Sequence, residues 1–172
     1  MISNDAHKLA AKIVVRTELK PGDIGSLIYL HGVLYAKEHG WDHTFEAYVA
    51  GPLSEFAKSQ RPRGRIWIVE ESEKILGSIA IVEVSKAEAQ LRWLLLHPAL
   101  RGRGIGRMLM ETAIRFCKEQ DYATVFLWTV SGLTAAAKLY EEFGFHISEE
   151  TIRDIWGTTV IEQRYELKLA EV

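Results

Sequence analysis

Apolar and polar positions come in short blocks along this chain, and their period changes from block to block. Lys12 to Glu18 alternates and is β-branched at Ile13, Val14, Val15 and Thr17, which predicts a strand. Pro21-Gly22-Asp23 reads as a turn with Asp23 as the cap of a helix. Ile24, Leu27, Ile28, His31, Leu34 and Tyr35 then recur at helical spacing up to Lys37. Gly40-Trp41-Asp42 breaks that pattern. A second helix is expected from a Thr44 cap to Lys58, burying Phe45, Val49, Leu53 and Phe56, with Pro52 predicting a kink or an early end. Ser59 to Gly64 is a basic loop. Strands follow at Arg65–Glu70, Ile75–Val84 and Ala87–Leu96, the first two joined by a tight turn and the third stopped by His97-Pro98. Ile105 to Lys118 is an amphipathic helix, Thr124 to Thr129 a strand, and Leu133 to Phe143 a helix stopped by Gly144. The last pair of strands is expected near Phe145–Glu149 and Gln163–Leu169, with Tyr165, Leu167 and Leu169 on one face.

The order β-α-α-β-β-β-α-β-α-β-β mixes antiparallel and parallel pairing, so the expected fold is a mixed α/β (α+β) sheet. With no repeat or linker in its 172 residues, the chain reads as one domain over 1–172, residues 1–11 forming a loose leader. A net charge of -2 gives no global field that would favour nucleic acid or an anionic membrane. No stretch approaches the roughly 20 apolar residues of a membrane span, and the N-terminus lacks a signal-peptide pattern, so a cytoplasmic location is expected. The single cysteine, Cys117, excludes an intrachain disulfide and sits on the apolar side of its helix, as a structural thiol would.

Candidate chemistry concentrates at Arg101-Gly102-Arg103-Gly104-Ile105-Gly106, between a strand and a helix. Glycines let the main chain come close to a ligand, and the first N–H groups of the helix point at an anion, so the pattern predicts a phosphate site. Arg101 and Arg103 add forked positive donors. The loop is not a P-loop, because Arg107-Met108 follows Gly106 where Lys-Ser/Thr is required. A dinucleotide site needs G-x-G-x-x-G, whereas Gly102, Gly104 and Gly106 are spaced G-x-G-x-G, which leaves an oxidoreductase as the weakest reading.

Arg101-x-x-Gly104-x-Gly106, after Leu94-Leu95-Leu96-His97-Pro98, resembles the acyl-CoA pyrophosphate loop of the GNAT superfamily of N-acetyltransferases. Ala136-Ala137-Lys138-Leu139-Tyr140-Glu141-Glu142-Phe143-Gly144-Phe145 resembles that family's A-x-x-L-Y-x-x-x-G-F segment. From Ile13 onward the chain also resembles the acetyltransferase half of bacterial fusions with MarR-type regulators. The resemblance implies a mostly antiparallel sheet with a splayed parallel strand pair, flanked by about four helices. It implies acetyl-CoA as co-substrate, its pantetheine arm paired with the backbone of Leu94, Leu95 and Leu96 and its pyrophosphate on the amides of residues 102 to 106, Ile105 included. It implies Tyr140 as the general acid that protonates the leaving thiolate, and a backbone N–H near Leu95 or Leu96 as oxyanion donor. Transfer would proceed by direct attack of a primary amine in a ternary complex. A non-catalytic acyl-CoA sensing module is the alternative.

Two positions depart from the family pattern. Gln90 stands where members often carry a basic carboxylate, and Leu133 where many carry asparagine. The base therefore stays open among Glu46, Glu83 and His97. The acceptor, a small-molecule or peptide amine, is expected against His39 to Glu46, with Trp41 as a wall and Glu46 holding a cation. His39 and His43 lack a third ligand, so no metal is expected. Trp93 and Trp128 read as core. Dimers are common among such proteins, and a homodimer stays open here.

Overall fold

The computed structural model describes residues 12–59 and 62–169. The expected leader over residues 1–11 lies outside the described residues, as do residues 60 and 61 of the basic loop. The elements run β1 (Ile13–Arg16), α1 (Asp23–His39), α2 (His43–Lys58), β2 (Arg65–Glu71), β3 (Lys74–Glu83), β4 (Glu88–Leu96), α3 (Ile105–Glu119), β5 (Thr124–Val130), α4 (Thr134–Glu142), β6 (His146–Ile155) and β7 (Thr158–Lys168). A 3-10 turn at Pro98–Leu100 precedes the glycine loop. The seven strands form one mixed sheet in the order β1-β2-β3-β4-β5-β7-β6, and among its pairs only β4 with β5 is parallel.

Alternation along the strands sends side chains to two cores. On one face Ile79, Ile81, Leu91 and Val125 pack against Leu109, Met110, Ala113 and Cys117 of α3 and against Tyr140. On the other, Ile66, Ile68, Ala80 and Val130 meet Leu27, Phe45, Val49 and Leu53 of the first two helices and Trp41 between them. Burial of such side chains contributes about 1.5–3 kcal/mol each, so the packed faces hold the helices to the sheet. No helix among the described residues is long and apolar enough to cross a membrane.

Several boundaries differ from those the sequence predicts, each for a local reason. Asp23 is the first residue of α1, not its cap. Gly22 takes the cap position with φ 95°, and the Asp23 carboxylate instead accepts the Lys20 N–H (2.6 Å) and two N–H groups of Arg16 (2.7 and 2.8 Å). Asp42, not Thr44, caps α2. Its extended backbone lets the carboxylate accept the Thr44 N–H at 2.9 Å as well as the Thr44 hydroxyl. The second helix runs through Pro52 to Lys58, losing only the bond that a proline N–H cannot make. The C-terminal hairpin is far longer than predicted. Its strands reach a two-residue turn at Trp156-Gly157, both with positive φ (55° and 77°), the geometry of a type I′ hairpin. Most of β6 faces solvent, so its sequence carries no apolar alternation to betray it.

Two features of β4 position the site. It pairs with β5 only at Glu88–Gln90 against Thr124–Phe126, after which the two strands part. Just past this point β4 carries a bulge against β3. Ser78 opposes Leu95 but Ala80 opposes Arg92, so Trp93 and Leu94 share Ile79 as partner, and Trp93 takes φ 51°. Bulges bend a strand and raise its twist. The Ser78 hydroxyl donates to the Trp93 carbonyl at 2.6 Å and fixes the bend.

Candidate active site

Where β4 leaves β5, one edge of Leu94–Leu96 stays bonded to β3 and the other faces a cleft. The cleft has a volume of about 570 Å3, and its floor is Leu94, Leu95 and Leu96. Gly102, Gly104 and Gly106 close one end, and α4 supplies Thr134, Ala135 and Leu139 on the far wall. Gly102 (φ 70°) and Gly104 (φ 77°) take left-handed conformations that a side chain would strain. The N–H groups of Gly102, Arg103 and Gly104 have no backbone partner among the described residues. Gly104 is the N-cap of α3, so the next free amides belong to the first turn of a 15-residue helix. This combination of unpaired donors and helix dipole fits a diphosphate, and the open strand edge fits an extended amide arm.

The predicted donor residues are brought together with different emphasis. Arg101 lines the cleft, gives its Nε–H to the Leu96 carbonyl (2.9 Å) and pairs with Glu38 (2.9 Å), thereby bracing the end of β4. Arg103 is not among the lining residues, and its guanidinium lies 3.9 Å from Glu71. Ile105 is buried in the core, so its contribution to the cleft is its main chain. Arg107, which no sequence motif singles out as a ligand, lines the cleft and is tied to Glu142.

A second, inner cavity lies deeper. It shares Tyr35, Leu94, Leu133 and Ala136 with the outer cleft, so the two adjoin. Tyr140 of α4 lines this inner cavity. The family-like segment explains its placement. Gly144 (φ 88°) ends the helix, and the Phe145 N–H returns to the Tyr140 carbonyl at 3.1 Å, which packs Phe145 on the phenol ring. Tyr140 is 6% exposed, and burial, with smaller contributions from Tyr35 and Tyr165, pushes its phenol well above the ordinary tyrosine value. The phenol is therefore protonated at any working pH. Tyr35 sits where cleft and cavity meet, and burial together with the charge of Glu38 pushes it up to about 12.

The acceptor side departs further from expectation. Trp41 lines the inner cavity in a ring cluster, 4.9 Å from Tyr35 and 4.4 Å from Trp156 between centroids. Glu46 does not line it. That residue is exposed, and its carboxylate lies against Gly32, where an added Cβ would meet Oε2 at 2.6 Å. Glu83 pairs with Arg63 (3.4 Å), and His97 accepts the Ala99 N–H (3.2 Å), so neither faces the cavity. Gln90 does line it, as does one carboxylate that the sequence pattern does not mark, Glu162 of β7, itself 3.0 Å from Arg153. His31 is buried there too. Its Nδ1 donates to the Leu27 carbonyl (2.8 Å), Nε2 has no partner among the described residues, and burial lowers the ring to about 4, so it is neutral. Cys117 is buried away from both spaces, and burial pushes its thiol up to about 12.

Residues 31–145 match the Acetyltransferase (GNAT) family. The chain belongs to that family. It is 25% identical over 142 residues to human N-acetyltransferase 8B, an alignment covering 78% of this chain and 63% of the relative. The chain thus spans less than two thirds of the length of that curated relative. Among solved structures it is similar to a GNAT-family acetyltransferase of Staphylococcus aureus Mu50 (TM-score 0.74, 18% identity, 92% of this chain and 100% of that one). It is also similar to the ribosomal-protein-S18-alanine N-acetyltransferase of Escherichia coli (TM-score 0.67, 21% identity, 94% and 96% covered). These two likenesses establish the acetyltransferase fold.

Proposed function

We propose that this chain is an acetyl-CoA-dependent N-acetyltransferase that moves the acetyl group directly to a primary amine. The observation that carries the reading is the junction of two spaces: a cleft with an open strand edge and unpaired amides, adjoining an inner cavity that Tyr140 lines. When bound, acetyl-CoA would supply an activated thioester. The amides of residues 102 to 106, with Arg101, would hold its diphosphate, and the free edge of Leu94–Leu96 its amide arm.

In the transfer a C–N bond forms as the C–S bond breaks, the amine gives up protons and the departing sulfur gains one. Tyr140 donates the latter. Burial raises the phenol, but it also raises the thiol it must protonate, so the two stay closer than their values in water suggest. Glu162 takes the amine proton through water, being the carboxylate of the inner wall. Trp41 is a wall of the acceptor space, and Glu46 has no part in it. The likeness to MarR-type fusions gives this chain no regulatory role.

Thiol release from acetyl-CoA across a panel of amines tests the reading. Tyr140→Phe is expected to keep coenzyme affinity by calorimetry and lower turnover about 10²-fold, as removal of an acid does. Unchanged turnover would remove Tyr140 from this role. Coenzyme binding without release on any amine would make the chain a binding module instead.

A further inference from the structure

Charge in the inner cavity is unbalanced. Arg92 of β4 lines it and is half-buried. The other well-buried arginines each hold a carboxylate: Arg16 has Asp23 and Glu70, Arg63 has Glu83, Arg164 has Glu88. Arg92 has no carboxylate or hydrogen-bond partner among the described residues, and burial disfavours its charged form. Its guanidinium lies over the rings of Trp93 (5.1 Å) and Tyr48 (5.9 Å) instead. Glu162 shares the cavity but is matched by Arg153. A half-buried cation without a counter-charge is costly, and the cost falls when an anion arrives.

A second observation is independent of the first. Two buried polar atoms of the described residues lack a partner, His31 Nε2 and Trp93 Nε1, and both residues line this same cavity. One is an acceptor and the other a donor. Around them stand Tyr35, Trp41, Phe45, Tyr48 and Trp156, an apolar wall with no charge. The lining thus combines a forked cation and aromatic faces with two residues whose buried polar atoms are unpaired among the described residues.

We propose that the acceptor amine carries a carboxylate that pairs with Arg92, and that it is a free α-amino acid with an apolar or aromatic side chain. This rests on the acetyltransferase reading above and narrows its acceptor. The forked guanidinium takes the carboxylate, and the ring cluster takes the side chain. A polyamine or a lysine within a protein brings no anion for Arg92.

Two measurements test it. Thiol release is compared for phenylalanine, its methyl ester and phenethylamine. Binding of N-acetylphenylalanine and of its methyl ester is measured by calorimetry, which needs no turnover. The protein is expected to prefer each free carboxylate about 10- to 100-fold, the worth of a charge-assisted bond. Arg92→Met is expected to abolish the preference while binding CoA as the parent does, which also reports that the variant is folded. Arg92→Lys is expected to keep part of it. Equal handling of acid and ester by the parent protein overturns the proposal, as does the absence of binding by every probe. Release with amines but no carboxylate preference removes this inference and leaves the acetyltransferase reading standing. Carboxylate-dependent binding without release overturns both the acetyltransferase reading and the acceptor proposal, and leaves Arg92 as a carboxylate-binding group only.

Discussion

Gly106→Ala separates the needs of the fold from those of the ligand. Gly106 is the second residue of α3 and lines the outer cleft. Its φ is ordinary, and an added Cβ would meet Leu96 Cδ1 at 3.5 Å and Leu139 Cδ2 at 3.6 Å, both normal contact distances. Nothing must move to admit a methyl group. Helix propensity then favours alanine by up to about 1 kcal/mol. In a chain of this length that corresponds to a rise of about 2–4 °C in Tm. On the proposed reading, the same methyl projects into the space through which the diphosphate would approach the main chain. Loss of one hydrogen bond to a charged group costs about 1.5–3 kcal/mol, or about 10- to 150-fold in CoA affinity. Differential scanning calorimetry of the free protein and titration calorimetry with CoA read the two effects separately. A variant that is more stable and binds CoA as tightly as the parent would refute the placement of the diphosphate at this helix start.

Two further outcomes are expected. The Arg16–Asp23–Glu70 cluster joins β1, α1 and β2, and Asp23 is held below the ordinary carboxylate range: burial opposes ionisation, but the bonds from Arg16 and Lys20 outweigh it. A carboxylate lowered in the folded state gives stability that is complete above its unfolded value and is lost as pH falls through the folded one. Asp23→Asn should cost about 3 kcal/mol at pH 7 by urea unfolding and flatten the loss of stability below pH 4; an unaltered acid profile would exclude the cluster as its source. Cys117, with its thiol raised to about 12 by burial, should ignore a disulfide reagent until the protein is unfolded, so thiol-release assays run without background; a rapid stoichiometric reaction in native buffer would contradict its burial.

The parts of the site that one stretch of chain encodes are legible in the sequence. The loop from Arg101 to Gly106 marks a turn against the outer cleft, and the segment ending Gly144-Phe145 marks the end of α4, because glycine at fixed offsets has few other uses. Residues that meet only through the fold are not legible in this way. His31, Arg92 and Glu162 come from α1, β4 and β7, and each alone reads as an ordinary helix or strand residue. Glu46 misleads because a carboxylate beside aromatic residues suggests a pocket, whereas its place in α2 turns it onto Gly32. The bulge at Trp93 leaves no mark in the sequence, since a tryptophan is not expected at positive φ. The full length of the C-terminal hairpin is hidden because a strand facing water has no apolar period to follow.

The hairpin tip has a consequence of its own. Trp156 reaches back to ring partners Trp41 and Phe45, and its carbonyl takes the Asp42 N–H at 3.0 Å. One side of the inner cavity is therefore stitched from segments more than a hundred positions apart, while the outer cleft is drawn largely from the span between Leu94 and Glu142. On the acetyltransferase reading proposed above, substitutions in the outlying segments would retarget the nucleophile and leave the middle span unchanged.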